Sequence, residues 1–586
     1  MNSKKYRSTP EYIFNNPKYR DYLIKYIGDP TGYSNSVDGV FVTPLDNNYA
    51  ILSIRIDLQN DIFDYSILSK YKNEQGETLM SNILYIKYPE FYKLQDISPI
   101  DAAEVRVVQT DTPLNVTGKK VVVGIIDTGI DYLSDEFMTL SGETRINFIW
   151  DQTIANENNL PLEVPYGTEY DSEKINNAIQ LFRAGKDPYT IVPSVDKIGH
   201  GTNMAGIIAA TGVNPELKGV APDCELCIIK LAEAITYKSD FNIEIPIFNI
   251  TTIVAAIIRL YNYSIKSLKP MVIYLPLGTN SGNHRGNGLI NEIIQKVSNS
   301  MGIIVVTGSG NEGAEGGHAS GFIPDVGGTE TIDLNVSNEQ KALIVEIWAD
   351  LPNIMTLNII SPSGEDTGII PVLINSTEKF SFIFEKVSIQ VSYLIPEQIT
   401  GDELILIYFS NLQPGSWKLR LTANAVTNGA FNSWIPVKGI SVGDTKFIQS
   451  DPFGTFTIPG DSPSVMTAAG YNQNNNNTIN YSGMAFKNDL NNSIYVAAGA
   501  VNAKTVGPGN RIDIVNGTSV SAAVTGGVCA LIFQWGMTDG NYPNMYSQSL
   551  ITYVIRGTTK RRGDIYPNPQ WGYGILNVFG IFKNMP

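Results

Sequence analysis

At 586 residues the chain exceeds one ordinary domain, and a length of this kind serves about two to four. With 43% hydrophobic and 17% charged residues it reads as globular, which excludes a disordered or low-complexity protein. A formal charge of −15 weighs against nucleic acid or an anionic membrane as partner, because both repel such a surface.

The opening M-N-S-K-K-Y-R-S has no apolar run behind its two lysines. No secretory signal is expected, and synthesis is expected in the cytoplasm. No run of eighteen apolar residues occurs, so no membrane span is expected. Residues 1–95 read as a small α+β unit. Within it Tyr49 to Leu58 alternates apolar and polar residues as a half-buried strand does, and N-I-L-Y-I-K-Y near residue 85 makes a second strand.

From about residue 96 short wholly apolar runs alternate with amphipathic stretches. V-V-V-G-I-I-D at 121–127 is followed by the helix-like G-T-N-M-A-G-I-I-A-A and by L-C-I-I-K, then M-V-I-Y-L-P-L at 271–277 and G-I-I-V-V-T-G at 302–308. Apolar strands joined by helices predict an α/β domain whose parallel sheet is covered on both faces. Between 329 and 447 the rhythm becomes strand after strand: Ala342 to Ala349, Met355 to Ile360, Phe380 to Leu394, Glu403 to Phe409 and Ser416 to Leu421. Turn clusters such as P-S-G-E separate them, which predicts an all-β module, sandwich or jelly-roll-like. The α/β pattern then resumes, so the β module is inserted into a domain built from 96–328 and 448–586. The asparagines at 474–477 read as a solvated loop.

Three cysteines make no disulfide framework. Cys224 and Cys227 form a CxxC in C-E-L-C-I-I-K, but residues three apart on a strand face opposite sides. Buried thiols are expected there rather than a metal or redox pair.

Three segments carry candidate chemistry. Asp127 ends the apolar strand V-V-V-G-I-I-D, at the carboxyl edge where α/β proteins place their sites. His200 lies in G-H-G-T at the head of a small-residue helix, and Ser519 lies in N-G-T-S-V-S-A-A at the head of an uncharged helix that must be buried. A helix N-terminus presents free N–H groups and partial positive charge, which suits the oxyanion formed when a serine attacks a carbonyl. A serine hydroxyl needs a base, usually histidine, and only three histidines exist. His284 and His318 lie in Gly-rich loops without a following helix and are expected to be loop residues. This leaves His200, which Asp127 would orient.

The chain resembles the subtilases over roughly 115–325 and 450–580. I-I-D-T-G-I-D is similar to the family's Asp motif, G-H-G-T-N-M-A-G-I-I-A to its His motif and N-G-T-S-V-S-A-A to its Ser motif, in the order Asp, His, Ser. The resemblance implies a serine endopeptidase with Asp127, His200 and Ser519 as its triad. V-V-T-G-S-G-N-E-G resembles the segment whose Asn donates to the oxyanion, here Asn311, with the Ser519 N–H as second donor. L-P-L-G resembles the strand on which substrate is laid, implying Pro276, Leu277 and Gly278 as substrate-binding residues. Pro276 stands where the family more often has Ser, and Ala523 where it usually has Pro. Proline keeps its carbonyl, so pairing through carbonyl 276 and the Gly278 N–H survives.

More narrowly, the phrases T-R-I-N-F-I-W-D-Q and D-K-I-G-H-G-T and the β insertion resemble the clostridial Csp-type subtilases of spore germination. That likeness implies spore association and, as protein substrate, the zymogen of a cortex-lytic enzyme cut once. A general clostridial subtilase without a germination role is the alternative that these features leave open. Residues 1–95 resemble a subtilase propeptide, which pairs with the mature domain and speeds the slow folding of a parallel sheet. Its end, Y-P-E-F-Y-K-L-Q, would enter the active site and be cleaved near Gln95; a permanent interaction domain is the alternative. Calcium is common in the family, but no D-x-D-x-D-G loop appears, and no metal or other cofactor is expected.

Two rivals stand beside this reading. D-T-G occurs at 127–129 and again at 366–368, as an aspartic protease would require, but Asp366 follows P-S-G-E in a turn rather than ending an apolar strand. Csp-type proteins also include members that have lost triad residues and serve as scaffolds or signal receptors. Here the three residues and Asn311 are all present, which favours activity.

Overall fold

Every second residue of β1 (Tyr19–Tyr26) turns inward: Tyr22, Ile24 and Tyr26 are buried while Asp21, Leu23 and Lys25 face out. This period of two builds a four-stranded antiparallel sheet in the order β2 (Val40–Pro44), β3 (Tyr49–Arg55), β1, β4 (Ile83–Ile86). The computed structural model describes residues 13, 16–28, 38–70, 72, 76, 78–87, 97–110, 114–155, 164–487 and 494–585. Its chain divides into two compact units, Met1–Gln95 and Asp96–Pro586. The strand expected through Leu58 stops at Arg55, and Ile56–Leu58 is a 3-10 turn. Its neighbours run out there, since β2 pairs no further than Val40↔Ile54 and β1 no further than Tyr19↔Arg55. Gln95 and the segment Y-P-E-F-Y-K-L-Q lie outside the described residues.

In the second unit the apolar runs become the core strands of a nine-stranded mixed sheet. They are β5 (Val122–Asp127), β6 (Ile146–Asp151), β7 (Thr168–Asp171), β8 (Glu225–Lys230), β9 (Met271–Tyr274) and β10 (Ile303–Gly308). Strands β6, β8, β5, β9 and β10 run parallel in that order, and β7 closes one edge antiparallel. Both faces are covered. Val123 and Ile125 of β5 enter one hydrophobic core and Val122 and Ile126 the other. Cys224 and Cys227 divide between the same two cores, and both thiols are free and buried. Helix Thr518–Phe533 runs through the first core with nearly every residue buried. Continued to Thr538 it is long and apolar enough to cross a membrane, yet 89% of its apolar window is buried, as in a soluble core helix.

The strands between 318 and 447 form two antiparallel sheets, so the β module takes in a strand that lies ahead of the expected start at 329. One, of six strands, has the order β11 (His318–Phe322), β19 (Ala430–Trp434), β13 (Ala342–Ala349), β17 (Glu403–Ser410), β16 (Ser388–Leu394), β15 (Ser376–Ser381). The other has the order β14 (Ile354–Ile360), β18 (Gly415–Ala425), β12 (Thr329–Val336), β20 (Lys446–Phe447). Val345 and Ile407 from the first sheet and Leu334 and Leu419 from the second share one core, so the two face each other. The stretch Phe380 to Leu394 is not one strand but a hairpin that turns before Lys386, whose φ is 56°. No glycine or proline marks that turn, so an unbroken β-prone run hides it. After it, strands β21 (Val465–Asn472), β22 (Asn477–Thr478) and β23 (Ile494–Gly499) complete the nine-stranded sheet. The exposed turn at 474–476 joins β21 to β22.

Buried polar contacts fasten the insertion to the α/β frame. The Asn280 amide donates to the carbonyl of Ile435 (3.0 Å), the Gly282 N–H to Glu346 (2.8 Å) and the Asn283 amide to Asp402 (2.7 Å). The indole of Trp434 is stacked between His284 and His318, with ring centroids 4.2 and 4.7 Å away. His284 lies in a loop as expected, but neither histidine is a solvated one. Both are about 1% exposed, and His318 opens β11 rather than lying in a loop. Its partner strand is more than a hundred residues distant, so local sequence carries no sign of the pairing.

Burial pushes His284 down to about 4, because charging an imidazole away from water is costly. An unfolded histidine titrates near 6.5, so the stability His284 contributes is present above that pH and is lost between 6.5 and 4. Glu403 has the opposite sign. One of its oxygens accepts from the Met355 N–H at 2.9 Å, the other has no hydrogen-bond partner among the described residues, and burial pushes it up to about 8. Its contribution is present below 4.5 and is lost as pH rises through 8. Glu403→Gln is expected to unfold at higher urea than the wild type at pH 8 and to lose that advantage at pH 4.5. An equal gain at both pH values would contradict burial as the cause.

Candidate active site

Asp127 ends β5 fully buried, and β5 is an interior strand of the sheet. His200 is the first residue of helix His200–Ala209, after Gly199 in a left-handed conformation with φ 89°. The His200 Nδ1 donates to both oxygens of Asp127, at 2.8 and 2.9 Å. A carboxylate only accepts, so the proton lies on Nδ1 and Nε2 is left as the basic nitrogen. The imidazole is 38% exposed and the carboxylate 1%, which puts the base at the surface and its orienting charge beneath. Burial would by itself lower the His200 pKa. The charge and hydrogen bond of Asp127, with Asp196 beyond, outweigh it and hold the pKa above its ordinary value.

Glycine makes this pairing fit. A Cβ at Gly201 would collide with the carbonyl oxygen of Gly129, so the D-T-G and G-H-G-T motifs meet backbone against backbone. Asp196, 3% exposed, ties them together. Its Oδ1 accepts from Thr128 Oγ1 (2.9 Å) and the Gly199 N–H (2.8 Å), and its Oδ2 from the N–H (2.9 Å) and hydroxyl (2.7 Å) of Thr202. Thr128 Oγ1 in turn accepts from the Gly201 N–H at 2.9 Å. Asp196 was missing from the sequence-derived candidates. Its signal was the acidic start of D-K-I-G-H-G-T, four residues before His200.

Ser519 is the second residue of helix Thr518–Phe533, where the first turn leaves N–H groups without intrahelical partners. Tyr274 from β9 donates its hydroxyl to the Ser519 carbonyl at 2.8 Å, and Gly308 lies so close that a Cβ there would stand 2.7 Å from the Thr518 carbonyl oxygen. The Oδ1 of Asn311 accepts from the Thr518 N–H (3.1 Å) and hydroxyl (3.2 Å). Its Nδ2 is thereby left as a donor beside the helix start. Gly517 has φ 127°, and a Cβ on it would be 3.6 Å from Asn311 Nδ2 and 4.0 Å from the Ser519 nitrogen. Two potential oxyanion donors thus flank one point kept open by a glycine.

Asn311 and Ser519 line a cavity of 140 Å³ together with Pro276, Leu277, Gly278 and Glu312. Burial pushes Glu312 up to about 7, although its carboxylate accepts the Lys438 N–H at 3.0 Å. The carbonyl of Pro276 and the N–H of Gly278 make no hydrogen bond among the described residues, so both remain available to an extended peptide. Asp366 is exposed, forms an isolated bridge to Ile360 just past the turn at 362–364 and accepts the Gly368 N–H at 2.8 Å, a setting unlike that of Asp127. Ala523 is buried inside the Ser519 helix. Among the described residues His200 makes no hydrogen bond to Ser519, although their two helices pack on each other; such bonds commonly tighten only when substrate binds. The described residues contain no group of three His, Cys, Asp or Glu able to hold a metal.

Asn311→Ala is expected to lower turnover by ~100–1,000-fold with the fold intact; a near-wild-type rate with a peptide substrate would remove Asn311 from oxyanion binding. A His200 that serves as the base must be neutral to accept a proton, and its pKa is raised, so kcat/KM is expected to climb with pH through an apparent value above 6.5. Asp127→Asn should lower that value, and a profile that stays put would exclude the pairing as its cause.

The subtilase family model matches residues 118–574. Among solved structures, the Clostridium perfringens CspB protease superposes with a TM-score of 0.73 at 28% identity, covering 83% of this chain and 99% of that one. This agrees with the Csp-type likeness read from the sequence. Sphericase gives a TM-score of 0.41 at 14% identity over 81% and 97% of the two chains. MycP1 with its N-terminal propeptide removed gives 0.41 at 13% over 84% and 98%. Comparison with curated proteins returns no match. With its family model spanning most of its length, the chain belongs to the subtilase family of serine peptidases.

Proposed function

We propose that the protein is a self-processing serine endopeptidase that performs limited proteolysis, with Asp127, His200 and Ser519 as its catalytic triad. The observation that carries this reading is the His200 Nδ1 bonded to the buried Asp127 carboxylate, which leaves Nε2 as the base. Ser519 Oγ attacks the scissile carbonyl while His200 Nε2 takes its proton. The Asn311 amide and the Ser519 N–H bear the negative charge that develops on the carbonyl oxygen. His200 then returns the proton to the leaving amine, which departs and leaves Ser519 acylated. Water, deprotonated by the same nitrogen, hydrolyses the ester and restores the serine.

Residues 1–95 act in this reading as the propeptide, cleaved near Gln95, and the β insertion as a jelly-roll-like accessory module. The likeness to a Csp-type protease supports a single protein zymogen as target, of the cortex-lytic kind that serves spore germination. The wild-type protein is expected to release its N-terminal unit during expression, while Ser519→Ala stays full length on a denaturing gel. A serine-directed phosphonate should label the wild type at Ser519. Identical gel patterns without labelling would favour a catalytically silent scaffold of the same family. Incubation with purified cortex-lytic zymogens, followed by mapping of a single cut, tests the target; digestion of unrelated proteins at many sites would refute limited proteolysis.

A further inference from the structure

Beside the Asp196 clamp that holds His200 lies a cavity of 240 Å³ that no step of the proposed cleavage uses. Segments distant in the chain enclose it. Asp131 and Tyr132 come from the loop after β5, Phe182 from helix Ser172–Arg183 and Tyr189 from the 3-10 turn Pro188–Thr190. The tip at 508–510 of the hairpin formed by β24 (Ala503–Gly507) and β25 (Arg511–Val515) closes another side. Asp196 lines it too, and Pro508 packs on Gly199, where a Cβ would stand 3.3 Å from the proline ring. An occupant therefore rests on the residues that hold the base in place.

The lining has an aromatic part and an anionic part. Tyr132 is 1% exposed and locked by its hydroxyl, which donates to the Val192 carbonyl at 2.9 Å. Tyr189 stands edge to face against it, with ring centroids 6.3 Å apart and planes at 81°. Tyr189 and Phe182 are 41 and 50% exposed, so aromatic surface meets water at the mouth. The Asp131 carboxylate is fixed at both oxygens: Oδ2 accepts the Gly509 N–H at 2.7 Å and Oδ1 the Leu133 N–H at 3.2 Å. Each oxygen keeps a further lone pair. Among the described residues no cation pairs with it: Lys230 is taken by Asp151 at 3.0 Å and Arg511 by Asp513 at 2.7 Å. Burial, followed by the charges of Asp131 and Asp187, pushes the Tyr189 phenol up, as a negative field does.

Aromatic faces attract a cation through their quadrupole, and an unpaired carboxylate beside them anchors its charge. A bare metal ion would need several oxygen ligands, and aromatic rings supply none. We propose that this cavity binds an organic cation, an ammonium or guanidinium group on an apolar stem, with the charge at Asp131 and the stem along Tyr189 and Phe182. A net charge of −15 draws such ligands to the chain. A free amine and a Lys or Arg side chain of a protein present the same chemistry. Such binding needs no peptide cleavage and stands apart from the endopeptidase reading.

The test is calorimetric titration of full-length Ser519→Ala protein with benzylguanidinium and with benzyl alcohol, its neutral counterpart. The cation is expected to bind at least about tenfold more tightly than the alcohol. Asp131→Asn keeps an oxygen for the two N–H groups and should cost about tenfold in affinity. Tyr189→Leu should cost about two- to fivefold; lying at the exposed mouth, it decides where Asp131→Asn does not fold. Glu312→Gln, in the cavity beside Ser519, should change nothing. Labelled peptides carrying Lys or norleucine then locate the source by fluorescence anisotropy. Tighter binding of the Lys peptide, reversed by benzylguanidinium, assigns the site to a protein side chain, and equal binding of both assigns it to a free cation. Equal affinity for cation and alcohol, no binding of the cation, or an affinity that neither Asp131→Asn nor Tyr189→Leu changes overturns the inference. So does loss of binding in Glu312→Gln, which would place the cation beside Ser519.

Discussion

The contact between two glycine backbones underlies the rest of the site. Gly129 follows the Asp127 strand and Gly201 follows His200; a Cβ on Gly201 would run into the Gly129 carbonyl oxygen, so only a glycine there lets the segments come close enough for the imidazole to reach a buried carboxylate. That approach places backbone N–H groups out of water, where an unmet donor is costly. Asp196 and Thr128 meet them, so the close contact and its polar satisfaction come from the same few residues. The serine side repeats the device, with Gly308 against Thr518 and Gly517 holding space between two donors. A preorganised site needs this kind of over-determination, because a small misplacement of the base or of the donors would forfeit much of their effect.

The insertion obeys a related constraint. A β module hung on the frame by flexible connections alone would move against it, since interfaces within one chain commonly permit such motion. Here the junction is sealed by directed contacts from the loop that follows L-P-L-G: Asn280, Gly282, Asn283 and His284 each engage a residue of the insertion. Lys438 reaches back to Glu312 beside the Ser519 cavity. Several of these groups are buried, and a buried carboxylate such as Glu346 is tolerated only because its donors are in place. The geometry of the frame next to Ser519 and the geometry of the insertion are therefore linked through shared hydrogen bonds.

Much of the frame was legible beforehand. Wholly apolar runs of four to six residues have few other uses than strands covered on both faces, and β5, β8, β9 and β10 lie within the stretches their composition marked. Glycine-bearing motifs made Asp127, His200, Asn311 and Ser519 readable as candidates, since a strand-end acid and two helix heads have local signatures. Where the reading fell short, the cause lay in long-range partners. Lys386 turns a chain that shows no turn residues, β11 exists because of β19 more than a hundred residues on, and His284 and His318 are buried by a tryptophan that neither can signal.

The sequence by itself determined the character of the strands, the division between α/β and all-β segments and the identity of the candidate chemical groups, because each depends on periodicity or on a few adjacent residues. The tertiary structure alone decided that Asp196 knits two motifs, that aromatic rings and a hairpin tip meet around a cavity at its flank, and which polar groups are burdened by burial. Those properties arise where segments distant in the chain exclude water together, and exclusion of water is a property of the packed whole rather than of any local stretch.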